Sequence, residues 1–258
     1  MPAANAVAAD PSLRGGDFRL GGRAPLFCRA RGRSTLLIAQ PVMAMRRALR
    51  VPVGLLIGSR FWLAPASQKQ LYLGLWEREI LGWIRRLSTN ARTAIDVGAG
   101  EGEYTLFFTR LAVTARIIAV EPDQEALNQL RSNLRLNGIE LNGRVEVIAA
   151  AAGATDDGMT RRLDSMVARP ACPVVMKVDV EGAEVDVLAG ARELLRLPDV
   201  RIVVETHSAK LESECIARLS SHGFEAVIVR PAWWRVLVPE RRPLVHNRWL
   251  AAWKMPLS

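Results

Sequence analysis

A glycine-rich segment is the part of this sequence whose residue types most clearly suit chemistry. The run Asp96-Val97-Gly98-Ala99-Gly100-Glu101-Gly102 follows a short apolar stretch and precedes an apolar helical pattern. Glycine residues allow positive φ angles and let the backbone approach a ligand closely. The free N–H groups at the start of the next helix favour an anionic ligand group. We therefore expect Gly98, Gly100 and Gly102 to bind a carboxylate or a pyrophosphate.

Two cofactors carry such groups, the nicotinamide dinucleotides and S-adenosylmethionine. The dinucleotide pattern G-x-G-x-x-G requires a third glycine at the position that Glu103 occupies. Asp96 lies two residues before the first glycine and adds a carboxylate that could hold the cofactor's ammonium group or a loop amide. The spacing favours S-adenosylmethionine, and we include Tyr104, at the start of the following helix, among its binding residues.

A second acidic residue is predicted at the tip of the next strand. Glu121 lies 25 residues beyond Asp96, and a carboxylate at this place can accept hydrogen bonds from both hydroxyls of a ribose. Asp123 fits the helix N-cap position better, which leaves Glu121 for the ligand. The third strand ends in alanines with no obvious acid for the adenine, so Asp156 and Asp157 are only candidates for that contact.

Candidate catalytic groups follow the fourth and fifth predicted strands. Asp179 lies in the apolar strand Val174–Val180, where an acid is unusual unless it faces a site. His207 follows the fifth strand, and its ordinary pKa of ~6.5 suits a general base. Asp179 or His207 could remove the proton of a hydroxyl nucleophile. Glu181 lies on the same side of an extended chain as Asp179, although it equally fits a charge at a helix start.

Two further expectations concern neighbouring acids and metals. Glu184 is expected to be an exposed helix residue, whereas Asp179, Glu181 and Glu205 offer oxygen ligands for Mg²⁺, so metal dependence is an open alternative. The three cysteines are odd in number, far apart and not in metal-ligand spacing. They fit a reducing compartment, and we expect a cytoplasmic protein.

The elements that must position these residues alternate along the chain. Predicted strands begin at Thr93, Arg116, Arg144, Val174, Val200 and Phe224, and predicted helices cover Tyr104–Val113, Asp123–Leu136, Ala183–Leu195 and Ala209–Ser221. Apolar strands that alternate with helices predict an α/β fold with a mostly parallel, doubly wound sheet. Ligands of such sheets bind at the carboxyl ends of the strands. Trp234–Val238 and Arg248–Trp253 are expected to add a C-terminal antiparallel hairpin.

The N-terminal third differs from the rest in composition. Residues 1–60 are interpreted as a basic leader, disordered over residues 1–33, with Met43 and Met45 as alternative starts. Residues 61–90 should hold one amphipathic helix, Gln68–Leu87, that packs on or lids the catalytic domain at residues 91–258. No apolar run is long enough for a membrane span, and no secretory signal is apparent.

The net charge of +9 is concentrated in this N-terminal third. Residues 1–90 hold 14 Lys/Arg and 4 Asp/Glu, out of 35 and 26 in the whole chain. The remainder is close to neutral, which argues against a nucleic-acid substrate, as does the lack of an Asn/Asp-Pro-Pro-Tyr/Phe type segment after the fourth strand. The basic leader could make peripheral contact with anionic lipid.

Several motifs together resemble the FkbM family of methyltransferases. They are Ala94–Phe108, Val120-Glu121-Pro122, Leu163-Asp164-Ser165, Met176–Gly190 and Val203-Val204-Glu205. The most specific is Lys177–Glu184, and Leu75-Trp76-Glu77 resembles the Gly-x-x-Glu segment that precedes the first motif in many members. The resemblance covers roughly Leu71 to Phe224, and residues 1–60 have no recognised counterpart.

This resemblance implies a Rossmann-like class I methyltransferase fold with S-adenosylmethionine as methyl donor. It further implies O-methylation of a hydroxyl on a sugar, glycolipid or other natural product, so the partner is a small-molecule or glycan acceptor. The main alternative function is an NAD-dependent oxidoreductase, which the early third glycine disfavours. The other alternative is a non-catalytic module that keeps the same fold.

Overall fold

The computed structural model describes residues 46–64, 68–141, 143–232, 246 and 248–254. The residues 1–33 expected to be disordered, both alternative start methionines and the expected strand Trp234–Val238 lie outside these ranges. None of the helices in the described ranges is long and apolar enough to cross a membrane.

The described chain alternates strands and helices, as the sequence predicts. The strands are β1 (Arg47–Arg50), β2 (Arg60–Leu63), β3 (Thr93–Val97), β4 (Arg116–Glu121), β5 (Val145–Ala149), β6 (Ala151–Ala152), β7 (Thr160–Arg161), β8 (Val174–Val178), β9 (Val200–Thr206), β10 (Glu225–Val229) and β11 (Arg248–Trp253). The helices are α1 (Lys69–Tyr72), α2 (Leu81–Leu87), α3 (Glu103–Leu111), α4 (Gln124–Leu136), α5 (Leu163–Met166), α6 (Glu184–Ala189) and α7 (Ala209–Ser221), with a 3₁₀ turn at Leu194–Arg196.

Seven of these strands form one sheet in the order β10-β11-β9-β8-β3-β4-β5. Neighbours from β9 to β5 are parallel, whereas β11 runs antiparallel between β9 and β10. The chain winds outward from β3 in both directions, so the strand order reverses there. The predicted Rossmann-like α/β fold is confirmed, and the ends of β3, β4, β8 and β9 meet at one edge.

Both faces of the sheet are covered by apolar packing. Ala94 and Phe108 belong to a cluster on one face, whereas Ile95, Met176 and Val187 belong to a cluster on the other. Consecutive strand residues point to opposite faces, so β3 serves both layers. This burial on both sides holds the strand ends in fixed positions.

The prediction of one continuous helix over Gln68–Leu87 is wrong for the middle of this segment. The chain leaves α1 after Tyr72 and starts α2 only at Leu81. Gly74 has φ 67° and Glu77 has φ 46°, values outside a right-handed helix. The bend turns the Glu77 side chain into the protein, where it becomes buried. The apolar periodicity therefore reflected burial rather than one continuous helix.

The end of the expected leader forms a hairpin with the residues that follow it, and this hairpin packs on α4. β1 and β2 are antiparallel, and two asparagines of the α4 region hold the backbone of β2. Asn133 Oδ1 accepts from Trp62 N and Asn137 Oδ1 accepts from Arg60 N, both at 2.9 Å. The domain boundary at residue 60 stays a prediction.

Candidate active site

A cavity of about 970 Å³ opens at the carboxyl edge of the sheet. The ends of β3, β4, β8 and β9 form its floor, and residues from Gln68 to Glu77 contribute to its wall. Seven of the sequence-predicted site residues line it: Gly98, Gly100, Tyr104, Glu121, Asp179, Glu181 and His207. Its size suits a cofactor together with part of a second ligand.

The glycine loop is shaped by contacts that leave no room for side chains. Gly98 has φ 71°, and a Cβ built on it would lie 1.8 Å from the Asp179 carbonyl oxygen. Gly102 has φ 96° and directly precedes α3, where a Cβ would lie 3.1 Å from Leu130 Cγ. Gly102 therefore shapes the helix start and is outside the set of described residues that line the cavity.

Glu121 is fixed at the tip of β4 by two backbone amides. Its Oε2 accepts from Gly100 N at 2.8 Å, and its Oε1 accepts from Asp123 N at 2.9 Å. Asp123 in turn caps α4, because its carboxylate accepts from Ala126 N at 2.7 Å. Each Glu121 oxygen keeps a further lone pair for a ligand hydroxyl. The predicted cap is confirmed, and the carboxylate lines the cavity.

Asp96 lies beneath the loop instead of in the cavity wall. Its side chain is completely buried, and its Oδ2 accepts from the Thr105 hydroxyl at 2.6 Å. Burial raises its pKa, while the charge of Lys177 opposes that rise. This position gives no support to a direct contact between Asp96 and the cofactor ammonium. The contacts with α3 and β8 instead make it a support of the loop.

Lys177 is a site residue that the sequence analysis missed. It is only 3% exposed, and its Nζ donates to Gly98 O at 3.1 Å and to Asp179 Oδ2 at 3.2 Å. Burial works against its charge, but the carboxylates of Asp179 and Asp96 outweigh burial and raise its pKa. Lys177 thus ties the loop to the acid. A lysine inside the apolar strand β8 was the available signal.

Asp179 and Glu205 form a carboxyl–carboxylate pair. Burial, followed by the charge of Asp179, raises the pKa of Glu205 to about 11. Burial alone would raise the pKa of Asp179, but the charge of Lys177 and the hydrogen bond with Glu205 lower it. At neutral pH Glu205 therefore carries the proton and donates to the ionised Asp179.

His207 is held by Glu184, which the sequence analysis expected to be exposed. That expectation is wrong, because Glu184 is fully buried and its Oε1 meets both His207 Nδ1 and the Gly182 amide. The hydrogen bond to Glu184 raises the pKa of His207. In the neutral ring this partner places the proton on Nδ1, so Nε2, which lies 3.9 Å from Asp179 Oδ1, is the basic atom.

Tyr104 and Glu77 form a buried pair in the cavity wall. The Tyr104 hydroxyl donates to Glu77 Oε2 at 2.5 Å, and Lys177 Nζ lies 5.0 Å from the centre of the Tyr104 ring. Burial raises the pKa of both groups well above their ordinary values. Tyr104 therefore holds the bent segment before α2 against the site. The Gly-x-x-Glu resemblance was the sequence signal for Glu77.

The remaining acids differ in position. Glu181 is exposed at the cavity edge with φ 31°. Asp156 and Asp157 accept hydrogen bonds from Arg162 N and Thr160 N in an exposed turn. Neither is among the described residues that line the cavity, so the geometry gives no support to an adenine contact. Ala150, Ala151 and Ala152 form the wall at that end instead.

One group of described residues has the spacing of a metal site. The ligand atoms of Asp179, Glu205 and His207 lie within 4.8 Å of one another, whereas Glu181 of the expected set is outside this group. The Lys177 ammonium already binds one of these oxygens, Asp179 Oδ2, at 3.2 Å. The Lys177 ammonium repels a divalent cation at this one place.

The fold is similar to those of solved methyltransferases. An rRNA methylase from Streptococcus thermophilus is 17% identical, covers 69% of this chain and 98% of its own, and has a TM-score of 0.50. A precorrin-6y C5,15-methyltransferase from Geobacter metallireducens GS-15 is 19% identical, with 69% and 87% covered and a TM-score of 0.47. A Streptococcus mutans protein in complex with SAH is 18% identical, with 69% and 98% covered and a TM-score of 0.47.

No curated protein matches this chain. A family model does, and it covers the part of the chain that carries Asp179, Glu184, Glu205 and His207. The resemblance seen in the sequence is confirmed, because residues 153–228 match the Methyltransferase FkbM domain.

Proposed function

We propose that the protein transfers a methyl group from S-adenosylmethionine to a hydroxyl oxygen of a small-molecule or glycan acceptor. One observation carries this proposal. The glycine loop with Glu121, and the group formed by Asp179 and His207, line the same cavity. A donor site and a proton-accepting site therefore face one volume.

The residues of the cavity fit this cofactor. The loop amides before α3 suit the methionine carboxylate, and Glu121 suits the ribose hydroxyls. The alanines from 150 to 152 suit the adenine, because they offer an apolar wall without bulk. When bound, the cofactor supplies a methyl group on a sulfonium, which is already activated for transfer. The protein's main task is then to align the acceptor oxygen.

The proton of the acceptor hydroxyl has a defined destination. His207 Nε2 removes it, while Glu184 holds the ring and stabilises the imidazolium that results. Asp179 accepts a hydrogen bond from the acceptor and keeps its charge because Lys177 lies 3.2 Å away. General-base assistance of this kind typically contributes ~10²–10⁴-fold in rate.

Calorimetric titration with S-adenosylhomocysteine tests the donor half of the proposal. We expect binding by the unmodified chain and a loss of at least about tenfold in Glu121→Ala, since two ribose hydrogen bonds to a charged group disappear. Glu125→Ala, an exposed acid on α4, should bind normally. Unchanged affinity in Glu121→Ala would remove the ribose role, and tighter binding of NADH would favour the oxidoreductase.

Radiolabelled methyl transfer tests the acceptor half. Sugars and sugar-containing natural products with free hydroxyls are offered together with labelled S-adenosylmethionine. Label should appear in an alkali-stable ether product. Label found only on nitrogen or carbon atoms of other acceptors would contradict O-methylation while leaving the donor assignment intact.

A further inference from the structure

The loop between β1 and β2 and the end of α1 with its following turn expose an unusual share of apolar surface. Val53, Ile57, Tyr72 and Leu73, called the apolar patch below, are 45%, 46%, 37% and 55% exposed. They are four of the nine large hydrophobic side chains exposed in the described ranges. These two segments touch, because a Cβ built on Gly54 would lie 2.5 Å from Gly74 Cα. The four side chains thus come from one continuous surface region.

The surroundings of the apolar patch are basic. Residues 46–76 contain five Lys/Arg and no Asp/Glu. Arg50 lies directly opposite Arg60 in the hairpin, and both are exposed without an acidic partner among the described residues. Like charges placed opposite each other on neighbouring strands are destabilising. An anion between or above these guanidinium groups would relieve that repulsion.

A third guanidinium group lies beside the loop that joins the two strands. Arg110 donates to the Ser59 hydroxyl at 3.1 Å, and its Nη2 lies 3.2 Å from a Cβ built on Gly58. The loop that carries Val53 and Ile57 is therefore flanked by cations on the hairpin and on α3.

We propose that the apolar patch docks on a bilayer surface that contains anionic lipids. Apolar side chains bordered by arginines match a layer of acyl chains beneath phosphate headgroups. Exposed apolar patches of this kind commonly mark membrane or protein contacts. Arg46 is paired with Glu101, and Lys69 lines the cavity. The positive charge beside the apolar patch therefore comes from Arg50, Arg60 and Arg110, and this charge selects the anionic bilayer.

The location of the apolar patch has a consequence for the acceptor. Gln68, Lys69 and Gln70 line the cavity, and Tyr72 and Leu73 follow directly. Docking through the apolar patch would place the cavity wall beside the lipid surface. An amphiphilic acceptor, with its hydroxyl head in the cavity and its tail in the bilayer, fits this arrangement. This consequence rests on the proposed function, whereas docking itself does not.

Cosedimentation of the full chain with vesicles tests docking without any methyl acceptor. We expect binding to phosphatidylcholine vesicles that contain phosphatidylglycerol, weaker binding as salt is raised, and little binding to pure phosphatidylcholine. Val53→Ser/Ile57→Ser/Leu73→Ser and Arg50→Gln/Arg60→Gln should each reduce partitioning by about tenfold or more, because each removes one of the two attractions.

Matched controls separate docking from folding and from the basic N-terminus. Met159→Ser changes an 87% exposed methionine elsewhere on the surface, and Arg192→Gln removes an exposed arginine; both should bind vesicles normally. All variants should keep their affinity for S-adenosylhomocysteine. The proposal is overturned if the unmodified chain does not bind anionic vesicles. It is overturned as well if the triple serine variant and the double glutamine variant both bind these vesicles as strongly as the unmodified chain does. It is also overturned if light scattering shows that the triple variant dissociates an oligomer while vesicle binding is unchanged.

Discussion

Asp179 and Glu205 share a hydrogen bond, yet their pKa values move in opposite directions. The difference comes from Lys177, whose ammonium contacts the carboxylate of Asp179. When the pKa values of two neighbouring carboxyl groups are pushed apart, one group serves as the acid and the other as the base. At neutral pH the ionised Asp179 can therefore only accept hydrogen bonds, whereas the protonated Glu205 donates its single proton to Asp179.

Replacing Asp179 by asparagine tests this division. Asp179→Asn keeps the shape of the side chain but removes the charge that orients the acceptor hydroxyl. We expect nearly unchanged affinity for S-adenosylhomocysteine and a fall in kcat of about 10²-fold, measured by calorimetry and labelled methyl transfer. Asp186→Asn, an exposed neighbour on α6, is the control. A fully active Asp179→Asn variant would remove this residue from the chemistry.

The pair formed by Glu184 and His207 predicts a pH dependence. A base acts only when neutral, so a raised pKa of His207 moves the acid limb of activity to higher pH. Glu184→Gln keeps a hydrogen-bond acceptor but removes the charge. The pKa of His207 should then fall, and the acid limb of kcat/KM should shift to lower pH.

Two measurements check this shift. NMR titration of the His207 ring should report the same fall in pKa as the pH profile of kcat/KM. Glu214→Gln, an exposed substitution on α7, should move neither quantity. If the ring titrates identically in Glu184→Gln and the unmodified chain, Glu184 does not control His207.

These residues also show how far sequence reasoning reaches. Asp179 and His207 could be placed at one edge because parallel strands end together. The burial of Glu184 could not be predicted, since a position at the start of a helix suggested a solvent-exposed side chain. Its partner His207 lies 23 residues away, after another strand. Lys177 was missed for the same reason. The role of Lys177 depends on its hydrogen bond to Gly98, which lies 79 residues earlier.

At the scale of elements, the glycine loop is held by contacts from three directions. Glu101 in the loop receives both Arg46 Nη atoms, at 2.6 and 2.5 Å, and Gln68 Nε2 at 2.9 Å. Asn133 on α4 donates to the Glu101 carbonyl at 2.9 Å. Residues at the start of the hairpin, at the start of α1 and on α4 therefore all hold the same loop in place.

A single added methyl group tests how rigid the loop must be. In Gly98→Ala the new Cβ would lie 1.8 Å from the Asp179 carbonyl oxygen, so the loop or β8 must move. We expect lower thermal stability and a loss of S-adenosylhomocysteine affinity of at least about tenfold, since backbone strain of this kind costs roughly 1–3 kcal/mol. Thermal denaturation and calorimetry measure the two effects.

Gly82→Ala is a matched control for that substitution. Gly82 lies in α2, and an added Cβ would meet nothing within 4 Å. Alanine is favoured over glycine inside a helix by about 1 kcal/mol, so this variant should be at least as stable as the unmodified chain. Equal behaviour of the two alanine variants would contradict the tight approach between Gly98 and Asp179.

The seven strands of the large sheet could be predicted nearly to the residue, but β1, β2, β6, β7 and the connections could not. Apolar runs identify β3, β4, β8 and β9 because both faces of the sheet are buried. The predicted helix Ala183–Leu195 instead stops as α6 at Ala189. Gly190 approaches the Gly153 carbonyl so closely that a Cβ would lie 1.9 Å away. That contact comes from a distant part of the chain, which periodicity does not detect.

Across the whole molecule, charge is divided between two surfaces. Residues 46–76 carry only basic charged groups, whereas the cavity is mainly acidic. Its acidic residues are Glu77, Glu101, Glu103, Glu121, Asp123, Asp179, Glu181 and Glu205, against Lys69 and Lys177. Burial raises the pKa of Glu77, and it raises the pKa of Glu103 to about 8 and that of Glu205 to about 11. These three carboxyls are therefore neutral at pH 7, and the negative charge of the cavity is left to Glu101, Glu121, Asp123, Asp179 and Glu181. The site thus suits a donor with positive charge, which S-adenosylmethionine supplies on its sulfonium.

The acidic cavity predicts which acceptors are rejected. A phosphate or carboxylate near Asp179 and Glu181 would meet the negative charge of both carboxylates, and the repulsion is screened least at the half-buried Asp179. A neutral sugar should therefore be methylated with a kcat/KM at least about tenfold higher than the same sugar carrying a phosphate, measured by labelled methyl transfer. Glu181→Gln should raise kcat/KM for the phosphorylated sugar and so reduce the ratio of the two kcat/KM values. Glu193 is an exposed acid outside the cavity lining, so Glu193→Gln should leave that ratio unchanged. A preference for the phosphorylated acceptor, or for RNA with a steep salt dependence, would show that the acidic residues face away from the bound acceptor and would move the acceptor site toward the basic hairpin.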